Sequence, residues 1–253
     1  MTELASANDQ DLQDAHVVVV GGGSGIGRAT AALAIAQGAR VTLASRNRAK
    51  LEAAAQEMDG DVAAAPVDMT DAVATEAWAR TLGPIDHLVI SASSATHGPF
   101  ATAPLEPLRA MFDAKFFGPY TVARAALPSL REGGSITFFS GVLSRRPGEN
   151  CAGLGAVNGA VEALTRALAL ELGPRVRVNC MSPGMTRSDA YAHVDETARE
   201  AMYASTGASL PLGRVGETDE VARATLFLMM NTFTTGVVLD VDGGHMIRQY
   251  ATR

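Results

Sequence analysis

The stretch VVVVGGGSGIGRAT, residues 17–30, constrains the fold more strongly than any other part of this chain. It joins a β-branched run, HVVVV at 16–20, to a segment of helical character that ends at Gly38. A short apolar run of this kind predicts a buried strand, and glycine is common just after the end of a helix. Glycines placed between such a strand and such a helix are typical of a βαβ unit that binds a dinucleotide.

The glycines of this turn have separate physical roles. Gly21 makes the tight turn after the strand, Gly25 lets the backbone approach a pyrophosphate, and Gly27 lets the helix pack closely on the strand. The first N–H groups of the helix and the positive end of its dipole would then face the phosphates. We therefore predict a nucleotide site here, which also includes Ser24 and Ile26.

The alternation of strand and helix continues along the whole chain. Further segments of strand character lie at 40–45, 61–68, 86–92, 134–140, 176–182 and 236–244. Helical segments separate them, so the strands must be joined by right-handed crossovers and covered on both faces. This pattern predicts an α/β fold, a single-domain Rossmann-type doubly wound parallel sheet of seven strands.

The chain contains no internal repeat and no linker, so we expect one dinucleotide-binding domain over residues 15–253. Residues 1–14 are polar and are expected to form a mobile N-terminal arm. A polar stretch at 185–215 is the expected substrate loop.

Composition excludes several other classes of function. The net charge of −6 argues against nucleic acid and against an anionic membrane surface as partners. No uninterrupted apolar run is long enough to cross a bilayer, and the acidic N-terminus does not resemble a signal peptide. Two cysteines do not make a disulfide framework, and no metal site is expected. We expect a cytoplasmic protein that acts on a small molecule.

The end of the second strand selects the cofactor. An NAD site would place an acid there for the ribose 2′-hydroxyl, whereas this chain has Ser45 and Arg46. A hydroxyl and a guanidinium suit a 2′-phosphate, which favours NADP(H). The alternative is that Arg46 and Arg48 form a solvated face, although an arginine at a helix N-terminus is unfavourable without an anion.

The ends of the next two strands extend this site. Asp68, followed by Met69, could accept a hydrogen bond from the adenine amino group. The segment SASS at 91–94 contains Ala92 and Ser93, small residues against which a cofactor could lie. Ligands of such sheets bind at the carboxyl ends of the strands, where all of these residues fall.

These residues in this order resemble the short-chain dehydrogenase/reductase family. The resemblance covers about residues 15–247 and is carried by GGGSGIG, ASRN, VDMTD, GSITFFSG, RVRVNCMSPGM and TGVVLDVDGG. It implies a nicotinamide cofactor and a homodimer or homotetramer. It also implies that Pro183, Gly184 and Ser188 line the nicotinamide end, with Ser188 where the family usually has threonine.

The same resemblance shows that the usual catalytic set is absent. The family's Asn, Ser, Tyr and Lys fall here on Lys115, Gly141, Leu154 and Asn158. Reducing a ketone leaves an alkoxide, which needs a positioned proton donor, and neither Leu154 nor Asn158 supplies one. We therefore expect carbonyl reduction by the family mechanism to be absent or very slow.

The favoured hypothesis is an NADPH-dependent oxidoreductase whose hydride acceptor needs no tyrosine acid, with an imine or iminium preferred. An iminium ion already carries its positive charge, so hydride addition gives a neutral amine directly. The segment SGVLSR at 140–145 is similar to a divergent branch of the family that lacks the tyrosine, and some of that branch act on cyclic imines.

Several residues are candidates for chemistry or for substrate contact. For proton supply or orientation we select Lys115, since a desolvated lysine can have its pKa lowered into the working range, and Ser144. For contact with the substrate, the candidates are Ser140, Leu154, Asp189, Tyr191 and, in the same loop, His193. Arg145 and Arg146 could hold an acidic substrate or be solvated.

Two alternatives remain open at this point. A chain that keeps its cofactor residues and loses its catalytic ones could be a non-catalytic NADP(H)-binding sensor or interaction subunit. It could also be a cyclase or dehydratase that retains NADP(H) as a scaffold.

Overall fold

A computed structural model describes residues 12–91 and 94–248 of the chain. The strands in chain order are β1 (His16–Val20), β2 (Arg40–Ser45), β3 (Val62–Pro66), β4 (Ile85–Ile90), β5 (Leu130–Phe139), β6 (Arg177–Pro183), β7 (Thr186–Arg187), β8 (Gly216–Glu217) and β9 (Val238–Val241). Seven of them form one parallel sheet in the order β3-β2-β1-β4-β5-β6-β9, and β7 pairs with β8 separately. The expected α/β fold with a seven-stranded, doubly wound parallel sheet is confirmed.

The helices lie between the strands, as crossovers of a parallel sheet require. They are α1 (Gly25–Ala36), α2 (Arg48–Gln56), α3 (Ala72–Ala79), α4 (Leu105–Phe112), α5 (Gly118–Ala126), α6 (Ala152–Leu172), α7 (Glu196–Ala208) and α8 (Thr218–Met230). None of the helices in the described part of the chain has the length and hydropathy that crossing a bilayer would require.

The central strand shows why the sheet is covered on both faces. All five residues of β1 are buried, and alternate side chains enter different cores. Val18 and Val20 pack in a cluster with residues of α5 and α6, whereas Val17 and Val19 pack in a second cluster with residues of α1 and α8. A strand buried on both faces has to be apolar throughout, and this explains the uninterrupted valine run.

Two expectations about the chain's organisation are modified by the structure. Leu12 was assigned to the mobile arm, but it is buried in the second core cluster, so packed structure begins before residue 15. Residues 1–11 lie outside the described part of the chain. The stretch 185–215 is not only a loop, since it contains β7 and the thirteen-residue helix α7, which is capped by Asp195.

The helix between β4 and β5 changes its winding just before Gly118-Pro119, where the sequence indicates a break. Residues Asp113–Phe117 form a π-helical turn, and the N–H of Gly118 donates to the carbonyl of Asp113, five residues back. Pro119 has no N–H to give the carbonyl four residues before it, so a wider turn is tolerated here. This turn carries Lys115.

Candidate active site

A cleft of about 440 Å³ opens at the carboxyl ends of the central strands. β1 is bordered by β2 on one side and by β4 on the other, and the chain reverses its direction of winding at this point. Such a switch point is where open α/β sheets bind their ligands. Of the residues that sequence reasoning selected, the cleft is lined by Gly21, Ser24, Gly25, Ile26, Gly27, Ser45, Arg46, Asp68, Met69, Lys115, Ser140, Pro183, Gly184, Ser188, Asp189 and Tyr191.

The glycine turn has the geometry that a dinucleotide cradle needs. Gly21 and Gly25 have positive φ angles of 88° and 53°, which side-chain-bearing residues rarely adopt. A Cβ on Gly27 would lie 2.4 Å from the carbonyl oxygen of Gly21 and 2.4 Å from Oγ of Ser91. No larger residue fits there, so the start of α1 can approach the strand and expose its first N–H groups to the cleft.

The outer end of this cleft is basic. Arg46 and Lys50 both line it and are both exposed, and Ser45 lies beside them at the end of β2. Asn47 caps α2 by accepting a hydrogen bond from the N–H of Lys50 at 2.9 Å, which fixes the first turn of that helix. Lys50 is a site residue that sequence reasoning missed, although its position one turn after Arg46 was a usable signal.

Asp68 lies at the adjoining wall and is held as a carboxylate. Burial on its own would raise the pKa of Asp68, but hydrogen bonds from the N–H and hydroxyl of Thr70, with the charge of Arg46, lower it below its usual value. Both bonds from Thr70 go to Oδ1, at 3.0 and 2.8 Å. The carboxylate retains acceptor capacity on Oδ2 for an amino group.

The segment that follows β6 forms another wall of the cleft. A Cβ on Gly184 would lie 2.8 Å from Cα of Asp242, so this position also requires glycine. A Cβ on Gly25 would lie 3.5 Å from Cβ of Ser188, so Ser188 sits over the glycine turn. Pro183, Gly184 and Ser188 all line the cleft.

Lys115 reaches the cleft from the π-helical turn. It is 5% exposed, and its Nζ donates a hydrogen bond to the carbonyl oxygen of Ser140 at 3.2 Å. Burial lowers the pKa of Lys115 to about 8. An ammonium group with such a pKa can give up and regain a proton near neutral pH.

Leu154 and Asn158, which the sequence resemblance predicts at the positions of the family's tyrosine and lysine, are both buried. Leu154 packs with Met111 and Val157 in a small third apolar cluster and does not line the cleft, so its predicted contact with substrate is not supported. Asn158 donates from Nδ2 to the carbonyl of Gly141 at 3.3 Å, and its Oδ1 has no partner among the described residues.

Ser144, the other candidate proton donor, also lies outside the cleft lining. Its Oγ lies 3.0 Å from the carbonyl oxygen of Gly141 and within hydrogen-bond distance of Oε1 of Glu162, and its single proton can be donated to either of these acceptors. Those bonds direct its proton into the protein, so the placement of Ser144 speaks against direct proton transfer to a substrate.

Glu162 is the second site residue that sequence reasoning missed. It is 4% exposed and lies on α6 one helical turn after Asn158, on the same face. Besides Ser144, it accepts a hydrogen bond from Oγ of Ser140 at 3.2 Å and pairs with Nε of Arg145 at 3.4 Å. The available signal was an acid one helical turn after Asn158, on a helix face that also contains Leu154, Val161 and Ala169.

Arg145 and Arg146 are both bonded to other groups of the protein. Arg145 donates to Asp240 at 2.8 Å and to Ser182 at 3.0 Å in addition to its contact with Glu162. Arg146 donates to the carbonyl of Arg248 at 2.8 Å. Neither arginine lines the cleft, so the structure does not support their binding an acidic substrate there.

The segment after β7 forms the outer rim of the cleft. Asp189 and Tyr191 line it, whereas His193 is exposed and does not. Tyr191 packs edge-on against Tyr203 with ring centroids 5.9 Å apart, and burial, with a smaller effect of Tyr203, raises the pKa of Tyr191. Ala92 and Ser93, two predicted cofactor contacts, lie outside the described residues.

The chain is similar over nearly its whole length to proteins of known family. A family model described as enoyl-(acyl carrier protein) reductase matches residues 20–246. The short-chain dehydrogenase/reductase ATR9 of Stachybotrys chlorohalonatus is 31% identical over 252 residues, which cover 94% of this chain and 99% of that protein. L-xylulose reductase of Homo sapiens is 33% identical over 241 residues, which cover 92% of this chain and 97% of that protein.

Solved structures agree with this likeness. A small-chain dehydrogenase crystallised in complex with NADPH superposes with a TM-score of 0.81 at 35% identity, covering 93% of this chain and 100% of that one.

Proposed function

This chain belongs to the short-chain dehydrogenase/reductase family of NAD(P)-dependent oxidoreductases, and on that premise we propose that it is an NADPH-dependent reductase of carbon–nitrogen double bonds. The observation that carries the proposal is the replacement of the family's tyrosine and lysine by buried Leu154 and Asn158, combined with a buried lysine at the cleft, Lys115.

The cofactor would be held along the cleft from Arg46 to Ser188. The glycine turn leaves room for a pyrophosphate beside the first N–H groups of α1. Arg46 and Lys50 supply two cations for a 2′-phosphate. NADPH, when bound, supplies the hydride, and the similar dehydrogenase that contains NADPH supports this choice of cofactor.

Lys115 would supply the proton. Of the side chains with an acidic proton that line the described cleft, Lys115 has its pKa lowered to about 8 by burial, whereas burial raises the pKa of Tyr191. General acid catalysis works best when the pKa of the donor is near the working pH. The ammonium group is therefore the better matched donor.

The same pKa favours nitrogen over oxygen as the acceptor. An imine nitrogen is basic enough to take a proton from this ammonium group before hydride arrives, and the resulting iminium carbon is strongly electrophilic. A ketone oxygen is far less basic and relies on a hydrogen bond that strengthens as the alkoxide forms. Leu154 provides no such bond, and the hydroxyl of Ser144 is directed into the protein.

The direct experiment mixes the purified protein with NADPH and either pyrroline, a cyclic imine, or cyclopentanone, its ring-matched ketone, and follows the absorbance of the reduced cofactor. We expect turnover of pyrroline and little turnover of cyclopentanone. Efficient turnover of cyclopentanone alone would contradict the proposal and would align this chain with carbonyl reductases such as its xylulose reductase relative. Tight NADPH binding with no turnover of either would favour a sensor or a scaffolded cyclase.

We also propose that the chain assembles as a homodimer or homotetramer. Several large apolar side chains are exposed in the single chain, including Phe100 at 90%, Leu170 at 87% and Phe233 at 100%. A second copy would remove such surface from water. Light scattering coupled to size-exclusion chromatography measures the assembly directly, and a monomer at micromolar concentration would contradict this expectation.

A further inference from the structure

The hydroxyl of Ser140 has its proton committed to the protein interior. Ser140 lines the cleft at the end of β5, and its Oγ donates to Oε1 of Glu162 at 3.2 Å. A serine hydroxyl has one proton and two lone pairs. With the proton directed to Glu162, the oxygen offers only lone pairs to any further group that reaches it.

Glu162 is oriented by its other neighbours. Nε of Arg145 lies 3.4 Å from Oε2, while both serine hydroxyls donate to Oε1. The two carboxylate oxygens therefore have different partners: Oε2 contacts the guanidinium of Arg145, and Oε1 accepts from Ser140 and Ser144. Arg145 is itself held by Asp240, so this arrangement does not depend on Glu162 alone.

The nearby polar groups have the same character. The carbonyl of Ser140 accepts from Lys115, the carbonyl of Gly141 accepts from Asn158, and Oδ1 of Asn158 is a buried acceptor that no described residue serves. The region behind this end of the cleft is therefore rich in acceptors. Acceptors favour a ligand that carries N–H protons over a ligand that offers only oxygen acceptors.

We propose that Glu162 is a positioning residue that turns Ser140 into a hydrogen-bond acceptor and so selects ligands with a protonated nitrogen over ligands with a carbonyl or alkoxide oxygen. This inference rests on the proposed function, because it explains how the same cleft would favour an iminium ion. Glu162 acts through Ser140 and does not itself line the cleft.

Replacing Glu162 with glutamine reverses this polarity in a defined way. Because Nε of Arg145 is a donor, it selects the amide oxygen of the new side chain and leaves the NH₂ group facing Ser140 and Ser144. Ser140 then accepts a hydrogen bond from the amide, and its own proton is released for the cleft. The variant keeps the volume of the side chain, and Arg145 keeps Asp240 as its ion-pair partner.

The experiment compares binding of pyrrolidine, which is protonated at neutral pH, with binding of cyclopentanol to the enzyme saturated with NADP⁺, by calorimetric titration. We expect Glu162→Gln to lower the preference for pyrrolidine over cyclopentanol about tenfold, the size of one hydrogen bond to a charged group. The ratio of kcat/KM for pyrroline over cyclopentanone should fall by a similar factor, and the affinity for NADPH should stay the same.

Ser144→Ala is the matched control, since it removes the other hydroxyl on the same carboxylate oxygen without altering the cleft lining. It should leave the pyrrolidine preference within about twofold of wild type. In a Ser140→Ala background, Glu162→Gln should have no further effect on the preference, because the residue it acts through is gone.

If Glu162→Gln weakened the binding of pyrrolidine and of cyclopentanol equally, Glu162 would have a merely structural role and the proposal would be overturned. If Glu162→Gln does not fold, Ser140→Ala must lower the pyrrolidine preference by itself. An unchanged preference in Ser140→Ala would then contradict the proposal. The two proposals fail separately. Absence of pyrroline turnover by the wild type contradicts the proposed function, whereas the binding preference is measured without turnover.

Discussion

The cleft has two halves that differ in what defines them. The cofactor half, residues 20–70, is built from backbone: positive φ angles at Gly21 and Gly25 and a contact at Gly27 that excludes a Cβ. The reaction half, formed by the end of β5, the π-helical turn and α6, is built from buried side chains, among them Lys115 and Glu162.

This difference affects how freely the residues of each half can be exchanged. Backbone geometry at a phosphate site permits few alternatives, because most side chains would occupy the space of the ligand. Buried side chains at a reaction site can be exchanged as a group, provided that each polar atom finds a new partner. In the reaction half, Ser140, Ser144 and Arg145 are the partners of Glu162.

Removing the amine of Lys115 should have the largest effect. We expect Lys115→Met to lower kcat for an imine about 10²–10⁴-fold, the usual contribution of a general acid. Activity requires the protonated form, so wild-type activity should fall as the pH rises through about 8, and the variant should lose this dependence. A pH profile of kcat for both proteins measures it.

Lys115→Arg is the control for that prediction. Arginine keeps a positive charge and a donor to the carbonyl of Ser140, but it does not release a proton in this pH range. A fully active Lys115→Arg variant would show that the charge of Lys115 matters and its proton does not.

The pairing of β4 with β5 should respond to acid. His87 on β4 bonds Ser135 on β5 at 2.9 Å, and burial, with the charge of Arg177, lowers the pKa of His87 to about 4. The native state then favours neutral His87, so stability is complete above the unfolded pKa of about 6.5 and is lost as the pH falls toward 4. The loss should be about 3 kcal/mol.

Urea unfolding at several pH values, compared with His87→Gln, isolates this contribution. The variant keeps a hydrogen-bonding group but does not titrate, so its stability should change less between neutral pH and pH about 4. Identical pH dependence of unfolding in the two proteins would show that His87 is not the acid-sensitive group.

In the cofactor half, losing the cation at the outer end should change cofactor choice. We expect Arg46→Ala to weaken NADPH binding about 10–100-fold while leaving NADH binding nearly unchanged, since only NADPH carries the 2′-phosphate. Fluorescence titration of both cofactors gives the ratio. Arg48→Ala is the matched control, because Arg48 is exposed, pairs with Glu52 and does not line the cleft.

The smallest expected effects are changes in folding stability when alanine replaces either of two glycines that have different surroundings. Gly27→Ala should destabilise the fold by about 1–3 kcal/mol, because its Cβ meets backbone that cannot yield. Gly159→Ala, on α6, should stabilise it by about 0.5–1 kcal/mol, because nothing lies within 4 Å of the added atom. Thermal unfolding of both variants tests this, and a harmless Gly27→Ala would remove the argument for a rigid cradle.

The sequence predicted more of the residues in the cofactor half than in the reaction half. It located the strand ends, so Ser45, Arg46 and Asp68 fall on the cleft as expected. It also placed Lys115 there, from a motif position alone. It did not find Glu162, because an acid within a helix is normally solvated and only the packing of α6 against β5 shows that this one is buried.

The amino-acid sequence alone determined the sheet and the glycine turn, because strand periodicity and glycine placement are local properties of the chain. The tertiary structure alone decided the state of the side chains in the reaction half. The pKa of Lys115 depends on burial, and the direction of the Ser140 proton depends on Glu162, 22 residues away. Burial and hydrogen-bond direction arise only when distant segments meet, so no local pattern records them.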